Sequence, residues 1–134
     1  MVTTAAQADF ELRLYELPAE EVTLDNIAEL FGQVGKEWGI AYVGGFNKQG
    51  LLTTLHFYIE PTYMLSYSIS NDVALQVYEL EMQKAGAGLQ CFEEILASEQ
   101  VQILGLVEEA GLRSPFEPGS VEKSRDTFTQ LLEQ

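Results

Sequence analysis

The sequence has very few of the residues that most often carry catalytic or metal-binding chemistry. Its 134 residues contain one histidine, His56, one cysteine, Cys91, and one tryptophan. A single histidine excludes any metal motif built on two histidines, and a single cysteine excludes an internal disulfide. A lone thiol is more typical of a small buried apolar side chain than of a nucleophile or a metal ligand. We therefore expect Cys91 to be structural.

Basic residues are also scarce, because 7 Lys and Arg stand against 21 Asp and Glu, for a formal net charge of −14. Nucleic acids and anionic membranes require clustered basic side chains, so we expect neither as a partner. The acidic residues often occur in neighbouring pairs, as at 20–21, 93–94 and 108–109. Such pairs are typical of a solvated helix face. Their side chains diverge by about 100° on a helix, which is unfavourable for holding one metal ion.

Long apolar runs are absent too. No stretch approaches the roughly 18 apolar residues of a membrane span, and the first 16 residues lack the basic region and apolar segment of a secretory signal. We therefore expect a cytoplasmic protein. Hydrophobic residues make up 46% of the sequence, so a chain of this length can bury a core as one ordinary domain. We expect a single helical domain over residues 1–134.

The hydrophobic pattern is helical in most of the chain, since apolar residues recur at steps of three and four. Thr23 and Ser120 occupy N-cap positions, and Trp38 is expected in the core. The glycine-rich stretch 40–54, which includes Gly44, is interpreted as an irregular loop. The fold class is therefore all-α, an irregular bundle of five to seven helices. Besides one long helix, the pattern predicts helices at about 4–17, 24–34, 89–97 (with Phe92, Ile95 and Leu96 inward), 101–110 and from 121 onwards.

The segment from Leu55 to Lys84 organises the rest of the chain. Pro61 is followed by about 23 residues without Gly or Pro, and proline is tolerated in the first turn of a helix. This predicts a long central helix at about 61–84. Tyr63, Tyr67 and Tyr78 lie on one stripe of that helix, which is the candidate site. By residue type alone, such tyrosines and a nearby histidine are more often packing residues, and this alternative stays open.

The order His56, Pro61, Tyr63, Tyr67 at steps of five, two and four resembles the C-terminal substrate-binding segment of the thimet oligopeptidase and oligoendopeptidase F family of zinc metallopeptidases. The flanking sequences agree, so that the resemblance covers nearly the whole chain. Two features depart from the family pattern: the zinc-binding HExxH is absent, and Thr62 stands where an aromatic residue is expected. The flanks are ADFELRLYE and EVTLDNIAELFGQVGKEWG before the segment, and EEAGLRSPFEPGSVEKSRDTFTQLLEQ after it.

The resemblance implies a role for three residues. Tyr67 would donate a hydrogen bond to the tetrahedral oxyanion, while His56 and Tyr63 would contact the substrate beside the cleaved bond. A tyrosine is a neutral donor at pH 7, which suits this role. The implied function is that of a C-terminal fragment of a zinc-dependent oligopeptidase, a hydrolase of short peptides. Zinc is implied for the complete enzyme only, so we expect no metal ligand and no cofactor in this chain.

The implied partners are short peptides and, if the protein is split, the missing catalytic half. The isolated chain is predicted to be inactive. The alternative is a non-catalytic helical domain that binds peptides or a partner protein. The aromatic face of the long helix would be uncovered in either case, and exposed apolar surface of this kind is commonly covered by two-fold pairing. We therefore expect a homodimer.

Overall fold

The structure is a computed structural model that describes residues 2–43 and 45–133, so Gly44 of the predicted loop lies outside the described residues. The all-α prediction is confirmed, because the described residues form helices and no strand. None of these helices is both long and apolar enough to cross a membrane. The helices are α1 (Val2–Tyr15), α2 (Leu24–Glu37), α3 (Lys48–Thr53), α4 (His56–Ile59), α5 (Tyr63–Gln83), α6 (Ala87–Ala97), α7 (Ile103–Glu109) and α8 (Ser120–Leu132).

The fold comprises two compact units, where the sequence predicts one domain. The first unit is Met1–Ser68 and the second is Ile69–Gln134. The boundary falls inside α5, the longest helix at 21 residues. The first turns of α5 therefore belong to the first unit and the rest to the second.

The first unit is built on four phenylalanine rings, which we call the phenylalanine core. Phe31 contacts the other three, with ring centroids at 4.8 Å from Phe10, 4.5 Å from Phe46 and 5.6 Å from Phe57. Phe10 and Phe31 are completely buried. A Cβ added at Gly35 would lie 2.4 Å from the Phe46 Cβ, so the glycine lets this ring lie directly on α2. The core joins α1, α2, α4 and the segment between α2 and α3.

Asparagine and threonine caps explain where two helices of the first unit begin. The Asn26 amide donates to Thr23 Oγ1 at 3.3 Å, and this confirms the predicted N-cap of α2. The Gly50 amide donates to Asn47 Oδ1 at 2.9 Å in the same way. That second cap starts α3 inside the stretch expected to be a loop, and α4 follows it. The helix count therefore reaches eight in the described residues, above the predicted five to seven.

Trp38 is not a core residue, so the sequence-based expectation for it is wrong. Its side chain is 39% exposed because α2 ends at Glu37, and its indole Nε1 donates to Asp9 Oδ2 at 2.9 Å. Arg13 donates to both Asp9 and Glu37, at 2.8 and 2.6 Å. Burial raises the pKa of Asp9, but the hydrogen bonds from Trp38 and Arg13 outweigh it and leave that pKa below its ordinary value. These contacts tie α1 to the end of α2.

The second unit buries a polar network between α5, α8 and the segment after α7. Gln76 Nε2 donates to Asp72 Oδ2 at 2.9 Å and to the Arg113 carbonyl at 3.0 Å. Gln76 Oε1 accepts from the Arg113 amide at 2.8 Å. Ser124 donates to the other oxygen of Asp72. Asp72, Gln76 and Ser124 are each at most 4% exposed, so hydrogen bonds replace apolar packing at this point.

Two details of the second unit differ from the sequence-based reading or refine it. Ser120 is the first residue of α8 and not its N-cap, because Gly119 holds the cap position with φ of 85°. At the other end, α6 packs tightly on α5, since a Cβ at Gly88 would lie 2.5 Å from the Val77 carbonyl oxygen. Cys91 on α6 is buried, and burial raises the pKa of its thiol. This agrees with a structural thiol.

Candidate functional site

The structure brings together His56, Tyr63 and Tyr67, the three residues implied by the resemblance. The His56 ring stacks on Tyr63 with centroids 4.5 Å apart. Tyr67 meets both rings edge-on, at 5.1 Å from Tyr63 and 5.7 Å from His56. His56 begins α4 and Tyr63 begins α5, while Tyr67 follows one turn later. We call these three residues the aromatic cluster.

The polar atoms of the aromatic cluster are within hydrogen-bonding distance. Tyr67 Oη lies 3.2 Å from His56 Nε2, whereas the buried His56 Nδ1 has no hydrogen-bond partner among the described residues. The neighbouring Tyr67 raises the pKa of the Tyr63 hydroxyl, first through its charge and second through a hydrogen bond. A raised pKa keeps this phenol protonated at neutral pH. Tyr67 is 39% exposed, so the cluster is open to a ligand.

A strained turn connects the two helices that carry the cluster. Thr62 has φ of 67°, a left-handed backbone conformation that residues other than glycine rarely adopt. Its amide donates to Glu11 Oε1 at 3.0 Å. Because this conformation cannot continue a helix, α5 begins at Tyr63 and not at Pro61 as the sequence predicts. The predicted range 61–84 is therefore shortened at its start, and its last helical residue is Gln83.

Two residues stand differently from the sequence-based reading of the site. Tyr78, which shares the predicted stripe, lies in the second unit and is 36% exposed. Glu11, which the sequence did not single out, is 1% exposed and bonds the turn at Thr62. The sequence pattern did not indicate that Glu11 is buried, because polarity does not separate buried from exposed positions here. The neighbouring Leu12 is apolar and yet 58% exposed.

The described residues do not fit a zinc site. Over residues 2–43 and 45–133, no three His, Cys, Asp or Glu side chains converge so that they could hold a metal ion. Any zinc used by a complete enzyme would need ligands other than these.

A second candidate site lies wholly within the second unit. It is an open groove of about 320 Å³ between α5, α6 and α7, which we call the apolar groove. Phe92 and Leu96, predicted to point inward on α6, are 49% and 69% exposed. That prediction is wrong because the Phe92 ring lines the groove, which no other described residue fills. Its lining includes Val73, Val77, Phe92, Ile95, Ile103 and Leu106.

Comparisons of the chain with protein families, with curated proteins and with solved structures find no match.

Proposed function

We propose that this chain is the C-terminal part of a cytoplasmic zinc-dependent oligopeptidase and supplies its substrate-binding and oxyanion-stabilising groups. One observation carries the proposal. His56, Tyr63 and Tyr67 come from two helices separated by a turn, and the polar atoms of His56 and Tyr67 nevertheless lie 3.2 Å apart. The three residues that carry the family resemblance thus lie close together, and this proximity supports the proposal.

The buried nitrogen of His56 indicates which way the hydrogen bond runs. A proton on Nδ1 would be a buried N–H without an acceptor, which costs about 1–3 kcal/mol. Orphaned N–H groups are rarer in proteins than under-satisfied acceptors. We therefore assign the proton to Nε2, which donates to the Tyr67 oxygen at 3.2 Å. The Tyr67 hydroxyl, which also shares a hydrogen bond with Tyr63, then keeps its proton for an acceptor other than His56.

In a bound peptide, that acceptor would be the oxygen of the cleaved carbonyl as it becomes an oxyanion. A donor that is already oriented needs no reorganisation during the reaction, and one such donor is typically worth about a hundredfold to a thousandfold in kcat. Tyr63 beside it is a protonated phenol at neutral pH, and its pKa is raised from the ordinary value of 10.0. His56 and Tyr63 together offer stacked ring faces to the peptide around the cleaved bond.

Reading the coding sequence upstream of this chain is the first test. We expect a helical region that contains HExxH, in the same frame or in a neighbouring one, and its absence would contradict the proposal. The complete enzyme can be made by joining this chain to that upstream region, and we call it the joined enzyme. In it, Tyr67→Phe should lower kcat for a short fluorogenic peptide about 100- to 1,000-fold. Tyr78→Phe, on the same helix but in the second unit, is the matched control and should leave kcat unchanged. A wild-type kcat for Tyr67→Phe would make that phenol structural.

The apolar groove favours a second candidate function, in which the chain is a non-catalytic helical domain that binds a partner. An amphipathic helix recognises its target by laying apolar side chains into a groove of this kind. A neighbouring cavity shares Ile95 and Leu106 with the groove and is also lined by Glu94 and Glu109. The chain as a whole carries a net charge of −14. Charge complementarity therefore selects a basic amphipathic helix as the occupant.

Fluorescence anisotropy with a labelled 18-residue peptide of Leu and Lys at helical spacing tests this second function. The peptide should bind the chain, while the same peptide with Glu in place of Lys should not. Ile103→Glu, in the groove, should abolish binding, and Val121→Glu, on α8, should not. Equal binding by both variants would reject the groove as the site. Self-association lost only in Ile103→Glu would assign the groove to a second copy of the chain.

A further inference from the structure

The turn before Tyr63 holds the most strained backbone in the described residues outside glycine. Thr62 is the one described non-glycine residue with a positive φ, at 67°. Strain of this kind persists only where the surroundings impose it, and it concentrates at functional sites. Here the turn separates α4, which carries His56, from α5, which carries Tyr63 and Tyr67. The conformation of Thr62 therefore sets how the two parts of the aromatic cluster meet.

The group that holds this turn comes from 51 positions earlier in the chain. Glu11 Oε1 accepts the Thr62 amide at 3.0 Å and the Tyr15 hydroxyl at 3.3 Å. The Glu11 side chain is 1% exposed, and its second oxygen is buried without a partner among the described residues. A buried carboxylate with an unsatisfied oxygen is unfavourable for stability. An apolar side chain at this buried position of α1 would be more favourable for stability. The role of Glu11 therefore lies in the hydrogen bond that it accepts from the Thr62 amide.

We propose that Glu11 is a positioning residue for the aromatic cluster, because it fixes the left-handed turn at Thr62 through the amide of that residue. Without this acceptor Thr62 relaxes into the helical region and α5 extends backwards. The chain that leads back to His56 then leaves α5 in another direction, and the stacking of His56 on Tyr63 is lost. This inference rests on the proposed function only for what the aromatic cluster does. The positioning of the cluster by Glu11 does not depend on it.

Hydrogen exchange of the Thr62 amide in the wild-type chain is the first measurement, and it needs no variant. A hydrogen bond to a buried carboxylate should slow this exchange about 10- to 100-fold relative to an unprotected amide. Unprotected exchange at Thr62 would overturn the proposal whatever the variants do.

Three variants then separate positioning from mere stability. Glu11→Gln keeps an acceptor of the same size, so the nuclear Overhauser contacts between the His56 and Tyr63 rings should remain. Glu11→Ala removes the acceptor, and these contacts should disappear. Tyr15→Phe removes only the other partner of Glu11 and is the matched control, with the contacts retained. A folded Glu11→Ala chain that keeps its His56–Tyr63 contacts, or a Glu11→Gln chain that loses them, would overturn the proposal.

Rescue by glycine completes the test. Glycine adopts φ near 67° without strain, so adding Thr62→Gly to Glu11→Ala should restore at least part of the ring contacts. This double variant also covers the case in which Glu11→Ala alone does not fold, because failure of rescue would then count against the proposal. None of these readouts depends on peptide cleavage. Absence of an HExxH-containing region upstream would reject the peptidase function and leave the positioning role of Glu11 standing.

Discussion

The two units of this chain differ in the balance of apolar and polar side chains that they bury. In the first unit, the largest completely buried side chains include Phe10 and Phe31, whose rings pack edge to face at 4.8 Å. In the second, the buried residues include Asp72, Gln76 and Ser124, which hydrogen-bond to one another. Its apolar side chains instead line an open groove of about 320 Å³.

This difference separates what stabilises the fold from what is left for binding. Burial of apolar rings provides most of the driving force for folding, whereas a buried polar network contributes mainly by fixing one geometry and is costly when broken. The first unit thus has an apolar core that stabilises its fold and supports the aromatic cluster. The second unit buries few of its apolar side chains in a core, and its groove is the surface that a partner would cover.

Removing a ring from the phenylalanine core should have the largest effect. Phe31→Ala should destabilise the first unit by about 3–5 kcal/mol, because it leaves a cavity among three other rings. Urea denaturation followed by the fluorescence of Trp38, the only tryptophan, reports on this unit. The matched control is Leu12→Ala on α1 in the same unit, where the side chain is 58% exposed and the expected loss is below about 1 kcal/mol. Equal losses for the two variants would show that burial of the rings does not stabilise this unit.

Breaking the polar network should have the next largest effect. Asp72→Ala leaves Ser124 without its acceptor and Gln76 with one partner fewer, which should cost about 1–3 kcal/mol. The rate at which a thiol reagent labels the buried Cys91 reports opening of the second unit and should rise. Asp72→Asn keeps the shape of the side chain and should be milder. Unchanged labelling in Asp72→Ala would show that the network does not hold this unit together.

Acid should weaken the first unit through Asp9. The pKa of this carboxyl is lowered from its ordinary value of 3.8, since hydrogen bonds from Trp38 and Arg13 outweigh its burial. The stabilisation is therefore present above about pH 3.8 and is lost as the pH falls through the lower folded-state pKa. We expect less than about 1 kcal/mol, because the pair is partly exposed.

Trp38 fluorescence in urea at pH 7 and at pH 3 measures this change. Asp9→Asn should reduce the difference between the two pH values, whereas Asp126→Asn, in the exposed pair with Arg125, should not. An acid-induced loss of the same size in Asp9→Asn would assign the effect to other carboxyl groups.

The homodimer expected from the sequence remains a prediction. Its loss or gain should be the smallest of these effects. Exposed side chains on the aromatic face of α5 include Tyr67 at 39% and Tyr78 at 36%. A net charge of −14 on each copy opposes pairing, although salt screens it beyond about 8 Å. Light scattering should give about twice 14.9 kDa at high micromolar concentration. Tyr78→Glu should restore the monomer, while Leu132→Glu on α8 should not. A monomer at every concentration would contradict the prediction.

The sequence predicted those features that depend on neighbouring residues. Helical periodicity and the all-α class come from spacings of three and four, and the cap at Thr23 needs only the amide of Asn26 three positions later. The family resemblance, which rests on the short spacing from His56 to Tyr67, named the three residues that meet in the aromatic cluster. The start of α3 at Asn47 was within reach of the same logic, but the surrounding glycines favoured a loop.

The rest was decided by contacts between distant positions, which periodicity cannot encode. Glu11 bonds Thr62 across 51 residues and Ser124 bonds Asp72 across 52, and a polar residue in an amphipathic helix gives no sign that it will be buried. The same limit explains Trp38 and Phe92, whose size and apolarity predict burial that the fold does not provide. The sequence alone determined the all-α class and most of the helices, and the family resemblance named the members of the candidate site. Only the tertiary structure decided which polar groups are buried and which apolar face stays open, because burial depends on what packs against a helix and not on the helix itself.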